Sequence, residues 1–467
     1  MHPIQEIIAA HKSGRHTGIF SNCSANEYVL RAVMRRCKAK GIPALIEATA
    51  NQVNQDGGYT GMTPEDFYAY CHKLAELEGF DKSKLILGGD HLGPLTWTNL
   101  DESDAMLKAE RLIGDYVLAG FTKIHIDTSM RLASDDHTKP LSDAVIAARG
   151  ARLCTAAEAA FDKRKKEVTG AIKPVYVIGS EVPTPGGIVS AEGAISVEGA
   201  VSAGGAISGK GIISAEGIIS NEGAQKHEEM EVTSAANCLA AIIAFRKAFE
   251  EAGLADAWGR VAAFVVQPGV EFGEDDIYVY DSEKASGLSR AIKNDRLVFE
   301  GHSTDYQPRP ALRELVRDGI IILKVGPALT FALREALFAL ENIEKVVLHG
   351  RGAALSRFAE VLETVMLEKP GEWKKHYHGD EHKKRINRAY GFSDRARYYL
   401  PEPAVKEAIG RLVDNMSGPV ALPLLSQFMP IQYARVRDGA LKNTADDLIL
   451  DRIGDCIDDY IFAIEGA

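Results

Sequence analysis

The chain offers no cysteine framework. Its six cysteines (Cys23, Cys37, Cys71, Cys154, Cys238 and Cys456) are scattered, with no Cys-x-x-Cys pair, so a reduced, cytoplasmic setting is expected. Positive charge is not in excess either. A formal net charge of -11 argues against non-specific nucleic-acid binding, although it leaves room for a local basic pocket around an anionic substrate. Long apolar runs are missing: the most apolar stretch, 319–340, is interrupted by Lys324, Arg334 and Glu335. A membrane span needs roughly 20 apolar residues without charges. The first residues include Glu6 and hold no signal-peptide core. A nucleotide-cradling P-loop is lacking too. The one near match, Gly205–Ala–Ile–Ser–Gly–Lys–Gly211, has no Ser or Thr after Lys210.

What is present reads as an α/β protein. Hydrophobic residues at 46% and charged residues at 25% are ordinary for a globular chain, and 467 residues suffice for one large domain with an appendage. Short β-branched runs near 16–24, 43–48, 85–90, 122–127, 174–181, 261–267, 297–302 and 320–326 predict strands. Segments with helical spacing, such as 27–40, 64–77, 103–119, 141–167 and 235–252, lie between them. Eight alternations predict a (β/α)8 barrel, with an open doubly wound sheet as the competitor. The strand ends favour the barrel. They carry Asn22, Glu47 with Asn51, Asp90–His91, Asp127, Glu181, Gln267, His302 and Lys324, and barrel enzymes keep their chemistry at the C-terminal ends of their strands. Phe20–Ser–Asn–Cys–Ser–Ala25 also lacks the Gly-rich turn that a dinucleotide-binding sheet would need.

The expected organisation is a barrel over 1–330, then its last helix and a helical extension over 331–467. A strict six-residue repeat, with Gly at 187, 193, 199, 205, 211, 217 and 223, interrupts the barrel over 187–224. Such a period can stack into a β-helix, but this one yields about two coils where solenoids need at least three. A low-complexity insertion is therefore the plainer reading, and an oligomer contact through the repeats is the sharper one.

The polar strand ends define a chemistry. Asp90, His91, Glu181, Gln267 and His302 would converge at one mouth of a barrel. Two imidazoles with an amide or carboxylate oxygen make a Zn2+ or Mn2+ site that leaves positions open for substrate oxygens. Such an ion polarises a ketone and stabilises the enediolate left when an adjacent bond breaks. Asp90 and Glu181 would then serve as a base and acid on opposite faces. A phosphate pocket is expected where strands seven and eight end. Ser303, Thr304 and the Gly326–Pro–Ala–Leu–Thr330 turn offer hydroxyls and amides at a helix N-terminus, and Arg395 and Arg397 are further candidates.

Longer motifs point to a family. Ile46–Glu–Ala–Thr–Ala–Asn–Gln–Val–Asn–Gln55, Gly57–Gly–Tyr–Thr–Gly–Met–Thr–Pro64, Gly88–Gly–Asp–His–Leu–Gly–Pro94, Phe264–Val–Val–Gln–Pro–Gly–Val–Glu–Phe272, His302–Ser–Thr–Asp–Tyr–Gln307, Lys324–Val–Gly–Pro–Ala–Leu–Thr–Phe–Ala–Leu–Arg–Glu335 and Ser393–Asp–Arg–Ala–Arg–Tyr–Tyr399 resemble the tagatose-6-phosphate family. That family holds the Z-type subunits of tagatose-1,6-bisphosphate aldolase and related sugar-phosphate 4-epimerases, some of them once labelled kinases. It is similar in turn to class II aldolases and metal-dependent uronate 4-epimerases.

The resemblance implies Asp90 as catalytic acid/base, Glu181 as the second, and His91 and His302 as metal ligands. The third ligand falls at Gln267, where those relatives carry His. An amide oxygen is the weaker donor, which lowers the expected metal affinity. Glu47, Asn51, Asp127, Ser303, Thr304, Lys324, Gly326 and Arg395 are the expected substrate- and phosphate-binding residues. The implied activity is 4-epimerisation of a ketohexose 6-phosphate, D-tagatose 6-phosphate to D-fructose 6-phosphate, by retro-aldol chemistry or proton exchange at carbon. The alternative is a non-catalytic subunit that stabilises a class II aldolase. Expected partners are a small-molecule sugar phosphate, an aldolase subunit and a second copy of the chain, with no nucleic acid and no membrane.

Overall fold

A computed structural model describes residues 1–179 and 230–466. Glu181 and the six-residue repeat lie outside them. Eight strands run in parallel: β1 (Ile19–Asn22), β2 (Ala44–Thr49), β3 (Leu85–Leu92), β4 (Lys123–Ile126), β5 (Val175–Gly179), β6 (Val261–Val266), β7 (Val298–Gly301) and β8 (Ile320–Val325). They pair in chain order, and Ile19 to Asn22 of β1 lie in register with Ile322 to Val325 of β8. That last pairing closes a (β/α)8 barrel and excludes the open sheet. Every residue of β4, β5, β6 and β8 is buried, as parallel strands covered on both faces require.

The crossovers are α1 (Glu27–Lys40), α2 (Pro64–Leu77), α3 (Glu102–Ala119), α4 (Asp143–Glu167), α5 (Ala235–Glu251), α6 (Ser282–Ala291), α7 (Arg309–Arg317) and α8 (Pro327–Val347). Side chains of Asn26, Thr63, Ser142, Ser234 and Asp281 accept the first free amides of their helices, each cap worth about 1 kcal/mol. Among the described residues, no helix is long and apolar enough to cross a membrane.

Six helices follow: α9 (Phe358–Glu368), α10 (Glu381–Tyr390), α11 (Pro403–Asn415), α12 (Leu422–Phe428), α13 (Pro430–Arg437) and α14 (Ala445–Ile464). The last, α14, packs on α1, α7 and α8. Arg35 and Arg36 of α1 pair with its Asp447 and Asp451 at 2.6 and 2.9 Å, and Ile464 O accepts from the Thr17 hydroxyl at 2.9 Å. Between α10 and α11 a tight turn, Arg395–Tyr398, is tied back to the barrel. Buried Arg334 of α8 holds Asp394 at 2.9 Å and stacks on Phe331, 4.4 Å from its centroid. Thr330 Oγ1 donates to the same carboxylate at 2.5 Å. These bonds bring Arg397 and Tyr398 to the mouth of the barrel.

Candidate active site

The barrel interior holds charges where apolar side chains are the rule. Lys123 Nζ, fully buried, lies 2.7 Å from Glu47 Oε1 and 2.6 Å from Glu300 Oε2, both also fully buried. Gly88 makes the space, since a Cβ there would stand 2.7 Å from Glu47 Cγ and 3.2 Å from Lys123 Cδ. One layer toward the mouth, Lys324 contacts Asp90 Oδ1 and reaches Glu47 at 3.5 Å and Glu300 at 3.8 Å. Burial alone would raise the Asp90 carboxyl. Lys324, His91 and a hydrogen bond from His125 outweigh it and hold Asp90 well below the ordinary carboxylate range. Asp90 is thus held ionised although it is almost wholly buried.

Three imidazoles surround this carboxylate. Ring centroids of His91, His125 and His302 lie 4.8, 4.9 and 5.3 Å apart. One ligand atom from each, together with an Asp90 oxygen, falls within 4.8 Å of the others. Each ring has one nitrogen engaged by a carboxylate: His91 Nδ1 with Asp127 at 2.6 Å, His125 Nδ1 with Asp90 at 2.8 Å, and His302 Nε2 with Glu300 at 3.1 Å. Carboxylates that orient imidazoles by their far nitrogen are the usual outer support of a metal centre. Three imidazoles and a carboxylate suit Zn2+ or Mn2+, so the donor set fits a divalent cation. Burial lowers His125, and burial with Lys324 brings His302 down to about 3, so both rings are neutral, as metal ligands must be. His91 differs: Asp90 and Asp127 outweigh burial and raise it. Its backbone is left-handed, at φ 49°, as is that of Ser303 at 54°. Such strain, roughly 1–3 kcal/mol per residue, gathers at functional sites.

Asp90, His91 and His302 of the cluster line the floor of a cavity of about 690 Å³, while His125 is buried outside its lining. Asn51, Asp90, His91, Asp127, His302, Ser303, Lys324 and Gly326 line it, as the sequence leads one to expect. Other expected residues sit elsewhere. Glu47 lies beneath the floor in the Lys123 network. Thr304 turns away, its hydroxyl donating to Lys324 O at 2.8 Å. Arg395 is buried against His376 at 3.2 Å, and Arg397 lines the cavity in its stead. The Gly326 turn has no free amides at its start, because Asp305 Oδ1 accepts from Gly326 N at 3.0 Å and Ala328 N at 2.8 Å.

Gln267 is engaged locally. Its carbonyl oxygen accepts from Gly269 N and Val270 N at 2.8 and 2.9 Å, so it caps its own turn, and the residue is not among those lining the cavity. His125 is the third imidazole of the cluster. A signal for it exists in Lys123–Ile–His–Ile–Asp127, where polar residues at every second position share one strand face. The same period pairs Glu300 with His302.

Comparisons with known proteins agree with this architecture. The family described as D-tagatose-1,6-bisphosphate aldolase subunit GatZ/KbaZ-like matches residues 4–210 and 211–465. A crystal structure described as a probable tagatose 6 phosphate kinase from Sinorhizobium meliloti 1021 is 42% identical, with a TM-score of 0.80. The match covers 96% of this chain and 100% of that one. Fructose-bisphosphate aldolase from Campylobacter jejuni is a looser likeness, at 12% identity and a TM-score of 0.43 over 88% of this chain and 90% of the other. With a family match over nearly the whole chain and a relative this similar, the protein belongs to the GatZ/KbaZ-like family of D-tagatose-1,6-bisphosphate aldolase subunits.

Proposed function

We propose that this protein is a metal-dependent 4-epimerase that interconverts D-tagatose 6-phosphate and D-fructose 6-phosphate. The observation that carries the reading is the clustering of ionised Asp90 with His91, His125 and His302, of which Asp90, His91 and His302 line one cavity. A divalent cation held by the three imidazoles would polarise the substrate ketone. Asp90, kept ionised by Lys324, takes the proton of the C4 hydroxyl. The electron pair of the C3–C4 bond moves toward the C2–C3 end, and C4 becomes an aldehyde carbon. Rotation presents the other face of that aldehyde, the pair returns to re-form C3–C4, and Glu181 gives a proton to the new hydroxyl. Exchange with solvent then resets Asp90 and Glu181. Glu181 takes this part from the family resemblance.

A second reading follows from the family's description as an aldolase subunit: the chain stabilises a class II aldolase and turns over nothing itself. One experiment separates the two. Purified protein is incubated alone with D-tagatose 6-phosphate and Mn2+ or Zn2+ and followed by 13C NMR. Appearance of D-fructose 6-phosphate, lost in Asp90→Asn, supports the epimerase. No product, together with rescue of an unstable aldolase partner, overturns it.

A further inference from the structure

We infer that Arg397, with Lys406 beside the same cavity, is the site that recognises a phosphomonoester on the sugar, so that the C-terminal helices confer substrate specificity. The inference deepens the epimerase reading and rests on it for the sugar's identity.

The usual barrel phosphate pocket, at the ends of strands seven and eight, is closed here by the protein's own groups. Asp305 occupies the amides of Gly326, just before α8, and of Ala328 in its first turn, Thr304 donates to Lys324 O, and Thr330 donates to Asp394. A phosphate at that helix start would meet a carboxylate instead of free donors. Lys324, the cation on the floor, is committed to Asp90.

Arg397 is different. Among the described residues it forms no ion pair. Its Nη1 donates to the carbonyls of Ser393 and Asp394, and its Nη2 donates to the Tyr398 hydroxyl at 3.0 Å. These bonds fix the guanidinium without neutralising it, and Tyr398 adds its ring, 4.5 Å away. Tyr398 in turn packs edge-on against Tyr59, with centroids 5.3 Å apart, and both line the cavity. Lys406, in the first turn of α11, lines it too and likewise has no ion-pair partner among the described residues. Ser303 adds an independent sign of a ligand. It is 3% exposed and lines the cavity, and its Oγ has no hydrogen-bond partner among the described residues. A fixed, unneutralised guanidinium matches the planar bidentate demand of phosphate oxygens.

The test is calorimetric titration of the full chain with D-tagatose 6-phosphate and with D-tagatose. Wild-type protein should bind the phosphate ester at least about 10-fold more tightly, undetectable binding of D-tagatose included. Arg397→Gln should weaken that binding by about 10–100-fold and leave affinity for the neutral sugar unchanged. Arg397→Lys keeps the charge without the fork and should fall between. Lys406→Gln, at an exposed position, should lose only about 2–5-fold. Unaltered binding in Arg397→Lys and Arg397→Gln, an equal loss for both sugars, or no preference in wild type would overturn the inference. Tight, Arg397-dependent binding without turnover would instead sustain it while removing the epimerase reading. Turnover of D-tagatose 6-phosphate that Arg397→Gln leaves intact would do the reverse.

Discussion

Replacing Lys123 with methionine should destabilise the barrel far more than losing any surface lysine. The Nζ atom sits between two carboxylates, Glu47 at 2.7 Å and Glu300 at 2.6 Å, and all three side chains have no exposed surface. Methionine fills similar space but leaves two buried carboxylates to share Lys324, which Asp90 already engages. Removing one partner from a buried ion pair costs about 3–5 kcal/mol. With an unfolding entropy near 2.1 cal/mol/K per residue over 467 residues, this corresponds to a fall in Tm of about 3–5 °C.

The loss should also depend on pH, with a definite sign. Without Lys123 one of the two carboxyls is pushed above its unfolded value, so the folded variant prefers it protonated. Stability from that proton is present at low pH and lost as pH rises. Scanning calorimetry at pH 5.5 and pH 8 should therefore show the larger deficit at pH 8. Lys139→Met, which removes an exposed lysine 3.9 Å from Asp136, is the control and should change stability by less than about 1 kcal/mol. Adding Glu47→Gln to Lys123→Met should recover part of the loss. Matching stability of Lys123→Met and Lys139→Met at pH 8 would refute the argument.

Three further outcomes follow from the same geometry. His125→Ala should weaken Mn2+ or Zn2+ binding by more than about 100-fold, by elemental analysis and titration, while Gln267→Ala should bind metal as wild type does; the reverse pattern would restore Gln267 as the ligand. Gly93→Ala places a Cβ 1.7 Å from Asp127 O, so it should displace the end of β4, break the His91–Asp127 bond and cost about 1–3 kcal/mol; an unchanged Tm and His91 titration by NMR would count against it. His2, 4% exposed, caps the N-terminal helix Pro3–Ala10 through Nδ1 and is held down to about 4 by burial and the neighbouring terminal amine. Its contribution is present above pH 6.5 and is lost as pH falls toward 4, at most about 3 kcal/mol. Hydrogen exchange of that helix should accelerate over this range in wild type and stay flat in His2→Asn.

The fold was legible because its signals are local and repeated. Helices α1 and α2 begin and end at the residues their spacing and caps indicate, Asn26 and Thr63 at the starts and Gly41 after α1. All eight strands appear as short β-branched runs between helical segments, and eight such alternations admit few closures. At the site, the strand ends marked Asp90, His91 and His302 correctly as neighbours, since the C-terminal mouth of a barrel gathers those positions whatever the loops do.

Two residues that the sequence reading missed, His125 and Glu300, lie inside strands and not at their ends. His125 sits between Ile124 and Ile126, and Glu300 follows Phe299, so each reads as an interruption of an apolar run that ought to be core. Their meaning depends on partners far away in the chain. Lys123 is neutral in effect only because Glu47 and Glu300, from β2 and β7, close on it, and no spacing rule within one strand reports a contact across a barrel. Gln267 shows the converse situation. It sits at a strand end, but the turn of Pro268, Gly269 and Val270 presents two backbone amides that its amide oxygen satisfies. A buried amide left without an acceptor costs about 1–3 kcal/mol. An uncharged oxygen is therefore drawn to the backbone, while the three clustered imidazoles are each placed by a carboxylate of their own, His91 by Asp127, His125 by Asp90 and His302 by Glu300.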